Sequence, residues 1–451
     1  MNLKDALEKT TALQSKLYQA AKADPSRRFY RLYDKLYRED VLQVAWERVR
    51  SNRGAPGPDG LSIASIEEIG VQDYLAQLQT DLREQTYRPS PVRRVQIPKS
   101  GGKLRGLGIP NIRDRIVQAA AKLILEAIFE ADFKDQSYGF RPGIGQREAL
   151  ASIDASAYKG YRWVVDADIE GFFDNLDHDR LMEAVRLRVS DGAVLRLIYR
   201  WLKAGVLFLG IYEDTDQGTP QGGVLSPLLA NVYLHYLDAS FEGQKSFIGR
   251  LTRYCDDFVI QCGTRLHAER ALCWVRDTLA ALNLRLHPDK TKIVNDREEG
   301  YDFLGFYHRR VLLRKGAKAR EMPMRWPSPR SRQRYRDQLK SILDAFRGVR
   351  GAAEWRILRD EINRYIVGFG HYFRNGQSTR VLRGLDDYTR QRVARYLCRQ
   401  QPRGKKRRRR KWTAMANWLR DGEHLKQLGA PKSKWPANAH RGLANAQWKA
   451  V

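Results

Sequence analysis

Cysteine is scarce in this sequence, and long apolar runs are absent from it. No CxxC pair and no histidine cluster occurs, so neither a zinc site nor a disulfide framework is predicted for the four cysteines, Cys255, Cys262, Cys273 and Cys398. There is also no N-terminal apolar segment and no uninterrupted apolar stretch of about 18 residues, which argues against secretion and against a membrane span. We therefore expect a protein of the reducing cytoplasm with no membrane partner.

Acidic residues are also few relative to basic ones. The 451 residues include 81 Lys and Arg but only 52 Asp and Glu, which gives a formal net charge of +29. A solvated surface alone leaves the two signs nearly balanced, so this excess indicates a polyanionic partner, most naturally nucleic acid. The length exceeds what one hydrophobic core usually organises, and two to four structural units with room for a catalytic core are expected.

The first part of the chain is predicted to be helical and then to form a hairpin. Residues 1–60 have a helical pattern that ends in GAPGPDG at 54–60, a run of turn-forming residues. From Val92 the pattern is that of strands, VRRVQIP and LRGLGIP, joined by KSGGK. Two short strands with a glycine-rich connection predict a β-hairpin.

Helices and strands alternate in the middle of the chain. Helices are predicted at about 113–130 and 179–203, and strands at 163–169 and around 253–262. This alternation indicates an α+β or α/β fold.

The segment from 331 to 400 is predicted to be all-helical. One stretch places five apolar residues on one helical face, and three arginines, Arg356, Arg359 and Arg364, interrupt it; the apolar residues are Ile362, Tyr365, Ile366, Phe369 and Phe373. A helical bundle with a basic side is expected. The following RGKKRRRRK at 403–411 is too basic to pack against itself, so it is predicted to be either a tether or an RNA-contacting arm.

Two adjacent carboxylates mark the first candidate site. Asp256 and Asp257 lie between apolar residues in a segment with a strand, turn, strand pattern. Neighbouring carboxylates in an apolar hairpin repel one another and lose solvation unless a cation lies between them, and a hard divalent ion suits oxygen ligands. The alternative is an ordinary solvated turn.

A second carboxylate and a glycine-rich loop support the metal interpretation. Asp168 lies at the end of the apolar strand that begins at Trp163, and an aromatic residue, Phe173, follows five positions later. The alternative is that Asp168 caps the next element. Two Mg²⁺ ions about 4 Å apart require carboxylates from separate strands, and Asp168 with Asp256 and Asp257 supplies that set. Between them, glycines in QGTPQGGVLSP (217–227) would allow the backbone to approach a nucleotide closely, and a helix should follow.

The order of these motifs resembles that of reverse transcriptases, and in particular of those encoded by group II introns. The matching stretches are PGPDG (56–60), IPKSGGKLRGLGIP (97–110), SYGFRPG (137–143), DADIEGFFD (166–174), QGTPQGGVLSPLLANVYL (217–234), RYCDD (253–257), LHPDKTK (286–292) and FLGF (303–306). The resemblance continues into the thumb and maturase region through INRYIVGFGHYFR (362–374) and LDDYTRQRVARYL (385–397). It implies an RNA-directed DNA polymerase.

The resemblance also implies the roles of individual residues. Asp168, Asp256 and Asp257 match the ligands of two Mg²⁺ ions, which Mn²⁺ can replace, and the Ile169 carbonyl matches a backbone ligand. Phe173 matches the ring that excludes a 2′-hydroxyl. The residues that match nucleotide contacts, besides Phe173, are Lys99, Arg105, Gln221, Tyr254 and Cys255. Lys290 and Lys292 are both candidates for the general acid that protonates pyrophosphate.

The expected architecture is an α+β right-hand polymerase. It comprises an N-terminal extension (1–60), reverse transcriptase fingers and palm (61–310), a helical thumb or maturase domain (311–402) and a basic C-terminal nucleic-acid-binding region (403–451). Cys255 and Gly106 depart from the family pattern, which commonly has alanine and proline there. The chain reaches Val451 without an HNH endonuclease module, so insertion into DNA without that nuclease is expected.

Two biological roles follow from the resemblance. In the first, the protein is a maturase and reverse transcriptase that binds its structured intron RNA, assists splicing and copies the intron onto a DNA primer or target with dNTPs. In the second, it is a domesticated relative in phage defence, CRISPR spacer acquisition or DNA repair. Either role implies a bacterial or archaeal protein associated with the nucleoid or a ribonucleoprotein. A non-enzymatic RNA chaperone is disfavoured by the complete set of three aspartates.

Overall fold

The computed structural model describes residues 1–98, 104–208, 211–214, 217–219, 222–244, 246–315, 318–348 and 352–400, with 415, 417, 419 and 425–428. The described chain divides into two compact units. The first contains residues 1–156 and 164–293, and the second contains residues 157–163 and the described residues from 294 onward. Each unit combines helices with strands, as the α+β prediction requires.

The helices are α1 (Leu3–Ala23), α2 (Tyr33–Leu36), α3 (Glu39–Ser51), α4 (Ile63–Ile69), α5 (Val71–Arg83), α6 (Ile112–Phe129), α7 (Gln146–Tyr158), α8 (His178–Arg186), α9 (Gly192–Leu202), α10 (Ser226–Gly243), α11 (Arg265–Ala281), α12 (Pro329–Ala345), α13 (Ala352–Phe373) and α14 (Thr379–Gln400). The strands are β1 (Val92–Pro98), β2 (Leu104–Ile109), β3 (Trp163–Asp168), β4 (Val206–Phe208), β5 (Ile211–Glu213), β6 (Gly249–Tyr254), β7 (Asp257–Cys262), β8 (Lys292–Asn295), β9 (Tyr301–Phe303), β10 (Phe306–Lys315) and β11 (Lys318–Pro327).

The helix α6 is the centre of the N-terminal part of the first unit. Sixteen of its 18 residues are buried, as in a helix that other elements enclose on nearly all sides. Helices α1 and α3 pack against it, and the Asn2 side chain caps α1 by accepting a hydrogen bond from the Asp5 backbone N–H. The helical pattern predicted for residues 1–60 is confirmed.

Two four-stranded sheets complete the first unit. The predicted hairpin is confirmed: β1 and β2 are antiparallel, with Arg93 opposite Ile109, and their sheet has the strand order β2-β1-β4-β5. The second sheet has the order β6-β7-β3-β8 and carries the acidic motifs. Helix α10 follows the glycine-rich loop as predicted, and ten of its residues are buried. Its Asp238 accepts a hydrogen bond from Arg253 of β6, next to the Asp-Asp motif.

Residues 179–203 do not form one helix, contrary to the prediction. The chain leaves the helical path at 187–191, where the backbone N–H groups of Ser190 and Asp191 donate to the Phe29 carbonyl. The Asp191 carboxylate then caps α9 by accepting from its backbone N–H groups. The pairing with Phe29 is a long-range contact, so the helical periodicity of the segment could not show it.

The second unit consists of a three-stranded sheet, in the order β11-β10-β9, and helices α12 to α14. The all-helical prediction for 331–400 is confirmed. The Tyr335 ring lies 5.1 Å from that of Tyr365 and 4.7 Å from that of Phe369, and Ile362 and Ile366 are buried beside them. These contacts make the predicted apolar face the core of the bundle.

The basic run 403–411 lies outside the described residues. Among those that are described, no helix has both the length and the apolar composition required to cross a membrane.

Candidate active site

The Asp-Asp motif lies in a two-residue hairpin turn between β6 and β7. Tyr254 and Asp257 form the last pair of the ladder, so Cys255 and Asp256 are the turn residues. Cys255 has a φ of +60°, a left-handed conformation that hairpin turns usually assign to glycine. The predicted strand, turn, strand structure is confirmed, and it places both aspartates at the end of the hairpin.

The Cys255 side chain lies inside the protein. The residue is 2% exposed, and this burial, together with the charge of Asp256, raises the pKa of the thiol to about 12. A buried thiol with a raised pKa is expected to be unreactive in the protein without bound metal.

Asp168 is the last residue of β3, and the backbone around it is held by the segment that follows α11. The Asp168 carbonyl accepts from the His287 N–H at 2.8 Å, and the Glu170 N–H donates to the Arg285 carbonyl at 2.9 Å. This pairing carries Lys290 to the acidic site, where its Nζ donates to Asp168 Oδ2 at 2.7 Å. Lys292 instead begins strand β8.

Two of the three predicted metal ligands, Asp168 and Asp257, lie in adjacent strands, and Asp256 lies in the turn just before Asp257. β3, which ends at Asp168, neighbours β7, which begins at Asp257. Carboxylate oxygens suit a hard divalent ion. In the part of the chain that the structure describes, however, no three His, Cys, Asp or Glu side chains are gathered into a set that could hold a metal ion.

The glycine-rich loop is fixed against the segment that follows β3. The Thr219 N–H donates to the Phe173 carbonyl at 2.8 Å, and the Gly218 N–H donates to the Leu176 carbonyl at 2.8 Å. Gly218 has a φ of +84°, and a Cβ there would lie 2.7 Å from the Phe173 carbonyl oxygen, so only glycine fits. The Phe173 ring packs edge-on against Phe172 at 5.1 Å. These contacts join Phe173, the residue predicted to exclude a 2′-hydroxyl, to the glycine-rich loop that is predicted to approach the nucleotide.

Other predicted nucleotide contacts are only partly described. Lys99 and Gln221 lie outside the described residues, and Arg105 is described only as a backbone position in β2. The Tyr254 ring is half-buried and lies 6.0 Å from that of Phe140.

Sequence reasoning missed two side chains that hold this loop. The buried His178 has its Nε2 within hydrogen-bond distance of the Gly218 carbonyl, and burial lowers the pKa of His178, which favours a neutral ring that donates through Nε2. The Gln118 side chain accepts from the Val224 N–H at 2.9 Å. Of these two side chains, only His178 could have been suspected from the sequence, because it directly follows Asp177, the residue that caps the N-terminus of α8.

Comparison with known proteins agrees with the motif order. Residues 97–308 match the model of the reverse transcriptase (RNA-dependent DNA polymerase) family, and residues 333–415 match the group II intron, maturase-specific domain.

Individual relatives extend this agreement. Protein YkfC of Escherichia coli K12 is 39% identical over 352 residues, which cover 69% of this chain and 90% of YkfC. The group II intron-encoded protein LtrA of Lactococcus lactis is 41% identical over 240 residues, which cover 51% of this chain and 38% of LtrA. Nuclear intron maturase 1 of Arabidopsis thaliana is 37% identical over 94 residues, or 21% of this chain and 13% of that protein.

Together, the acidic hairpin and the family match define the class: the protein is a reverse transcriptase, an RNA-directed DNA polymerase that depends on divalent metal ions. More particularly, the chain belongs to the group II intron-encoded reverse transcriptase and maturase family, whose substrates are RNA and DNA.

Proposed function

We propose that this protein extends a DNA primer on an RNA template by two-metal catalysis, with Asp168, Asp256 and Asp257 as the ligands of two Mg²⁺ ions. The observation that carries the proposal is the adjacency of β3 and β7, which brings carboxylates from two separate strands to one sheet. When bound, the ions activate the primer 3′-hydroxyl and stabilise the leaving pyrophosphate. The Ile169 carbonyl is the proposed backbone ligand, and Mn²⁺ is the expected substitute.

Lys290 is the proposed general acid. Its ammonium group lies 2.7 Å from Asp168 Oδ2, whereas Lys292 lies in the following strand. An amine at this position would donate a proton to the leaving pyrophosphate. The contact with Asp168 is the observation on which this assignment rests, and Lys292 is the alternative.

Phe173 is the proposed selector of the sugar. Its carbonyl is fixed by the Thr219 N–H and its ring by Phe172, so the ring cannot easily move away from a 2′-hydroxyl. Gln221, Tyr254 and the backbone of Cys255, whose side chain is buried, would contact the same nucleotide. Lys99 and Arg105 would bind its triphosphate, Lys99 as a point charge and Arg105 as a planar fork.

The proposed architecture follows the family. The sheet of β1, β2, β4 and β5 belongs to the fingers, the sheet that carries the aspartates is the palm, and α12 to α14 form the thumb or maturase domain. The corresponding boundaries are 1–60, 61–310, 311–402 and 403–451.

The proposed biological role is that of a maturase that binds its own structured intron RNA in a ribonucleoprotein and copies it. The match to the maturase domain over 333–415 supports this role over a domesticated one. Sequencing the RNA that copurifies from the native host tests it, because folded RNA is recognised by shape as well as by charge. An intron that contains this reading frame is expected; a specific non-intron RNA would instead indicate the domesticated role.

Primer extension on an RNA template tests the metal assignment. Asp256→Asn removes a ligand charge and is expected to slow extension by several orders of magnitude without weakening RNA binding. Asp277→Asn, at an exposed position on α11, is the matched control and should extend at the wild-type rate. If Asp256→Asn extends primers about as fast as the control, the assignment is wrong.

A further inference from the structure

A fully buried arginine stands directly before the acidic turn. Arg253 lies in β6, and its side chain is 0% exposed. A guanidinium carries five N–H groups in one plane, and in Arg253 each of them has an acceptor. The five acceptors are the two carboxylate oxygens of Asp238, Ser137 Oγ at 2.7 Å, Asn231 Oδ1 at 3.0 Å and the Cys255 carbonyl oxygen at 2.9 Å.

The acceptors come from three different segments of the first unit. Asn231 and Asp238 are seven residues apart on α10, which places them on the same face two turns apart. The backbone of Arg253 pairs with the segment at 136–138, donating to the Gln136 carbonyl at 2.8 Å and accepting from the Tyr138 N–H at 2.9 Å. The guanidinium therefore joins α10 and this segment to the acidic turn.

The turn needs such support because of its conformation. Cys255 has a φ of +60°, which an isolated hairpin would rarely adopt with a residue other than glycine, asparagine or aspartate. Arg253 Nη1 holds the Cys255 carbonyl, and the backbone of Gly139 packs on its other side, so closely that a Cβ on Gly139 would lie 2.6 Å from the Cys255 nitrogen. Asn231 Nδ2 in turn fixes the Gly139 carbonyl at 2.7 Å.

Stability alone is a weak reason for this network. A buried ion pair loses hydration on both charges, and an apolar pair of similar volume often stabilises a fold equally well. The planar guanidinium also fixes geometry, because five acceptors determine its position and orientation. A lysine cannot make the same set of directed hydrogen bonds. One of the five N–H groups reaches the backbone of the acidic turn itself.

We infer that Arg253 is a positioning residue for the metal site: it fixes the backbone of the turn that carries Asp256 and Asp257, and so sets the affinity of the polymerase for its catalytic metal. This inference rests on the proposed assignment of the two aspartates as ligands. Residues that orient metal ligands typically contribute about 10–100-fold to metal affinity or activity.

The test is the Mg²⁺ dependence of primer extension by Arg253→Lys. The Mg²⁺ concentration for half-maximal rate is expected to rise about 10–100-fold, with partial recovery at high Mg²⁺. The matched control is Arg188→Lys, because Arg188 is also buried in the first unit, donates to four backbone carbonyls and pairs with Asp132. It should lose thermal stability without a change in Mg²⁺ dependence.

Ser137→Ala keeps the test decisive if Arg253→Lys fails to fold. It removes one of the five acceptors, far less than the whole network, and is expected to raise the half-maximal Mg²⁺ concentration in the same direction by a smaller factor. A Mg²⁺ dependence within about twofold of the wild type in the folded variant would overturn the inference. If Asp256→Asn remains active, the metal assignment itself fails; if it is inactive and the Mg²⁺ dependence of the network variants is unchanged, only the role of Arg253 fails.

Discussion

Lys290 donates a hydrogen bond from Nζ to Asp168 Oδ2 at 2.7 Å, across 122 positions of sequence. Both side chains are about half exposed, so solvent screens the pair and its contribution to folding stability is small. The contact places the Lys290 ammonium group beside Asp168, and it is the basis for testing Lys290 as the general acid.

The first prediction concerns this ammonium group. Lys290→Gln is expected to lower kcat for primer extension by about 10²–10⁴-fold, because a positioned general acid contributes that much, while KM for dNTP changes little. Lys292→Gln is the comparison variant and is expected to lose less activity than Lys290→Gln. Single-turnover kinetics distinguish the two variants, and a larger loss in Lys292→Gln than in Lys290→Gln would assign the acid to Lys292.

The second prediction concerns sugar selection. Phe173→Ala leaves the backbone contact with Thr219 in place and removes only the ring, so the space for a 2′-hydroxyl opens. The ratio of rNTP to dNTP incorporation is expected to rise at least about tenfold, the lower end of what a lost steric contact changes. Tyr158→Ala, at an exposed position, is the control. An unchanged ratio in Phe173→Ala would place the gate at another residue.

The third prediction concerns pH and the second unit. His308 is buried against Tyr301, with the ring centroids 5.0 Å apart, and burial lowers the pKa of His308 to about 3. In the unfolded chain this pKa is about 6.5, so between the two values the unfolded state binds the extra proton and stability falls as the pH falls. The expected loss is about 2 kcal/mol on going from pH 7 to pH 5.

His308→Phe is the matched variant for this prediction, because it keeps an aromatic ring beside Tyr301 and removes the titration. Urea denaturation at pH 7 and pH 5 measures both proteins. The wild type should lose more stability than His308→Phe over this interval; equal losses would show that His308 does not remain neutral in the folded state.

Much of the fold and of the site was predictable from local sequence patterns. Period-two runs and turn-forming residues gave the β1–β2 hairpin and the turn between β6 and β7, and apolar periodicity gave α6, α10 and α12 to α14. The acidic residues and Phe173 were identified because each lies within a short contiguous motif. Such features depend on neighbours in the chain, and the sequence shows those directly.

The chain by itself therefore determined its class, its candidate chemistry and the elements with a clear local pattern, while the sheet of β9, β10 and β11 and the helices α7 and α11 were not predicted. The tertiary structure alone decided the break at 187–191, the contact of Lys290 with Asp168, the contact of His178 with the glycine-rich loop and the five acceptors of Arg253. These relationships join residues that are distant in sequence, and a hydrogen-bond partner on another element leaves no periodic signal in the chain. They are set by how the sheet, α10 and the loops pack, because only packing brings such donors and acceptors within about 3 Å of one another.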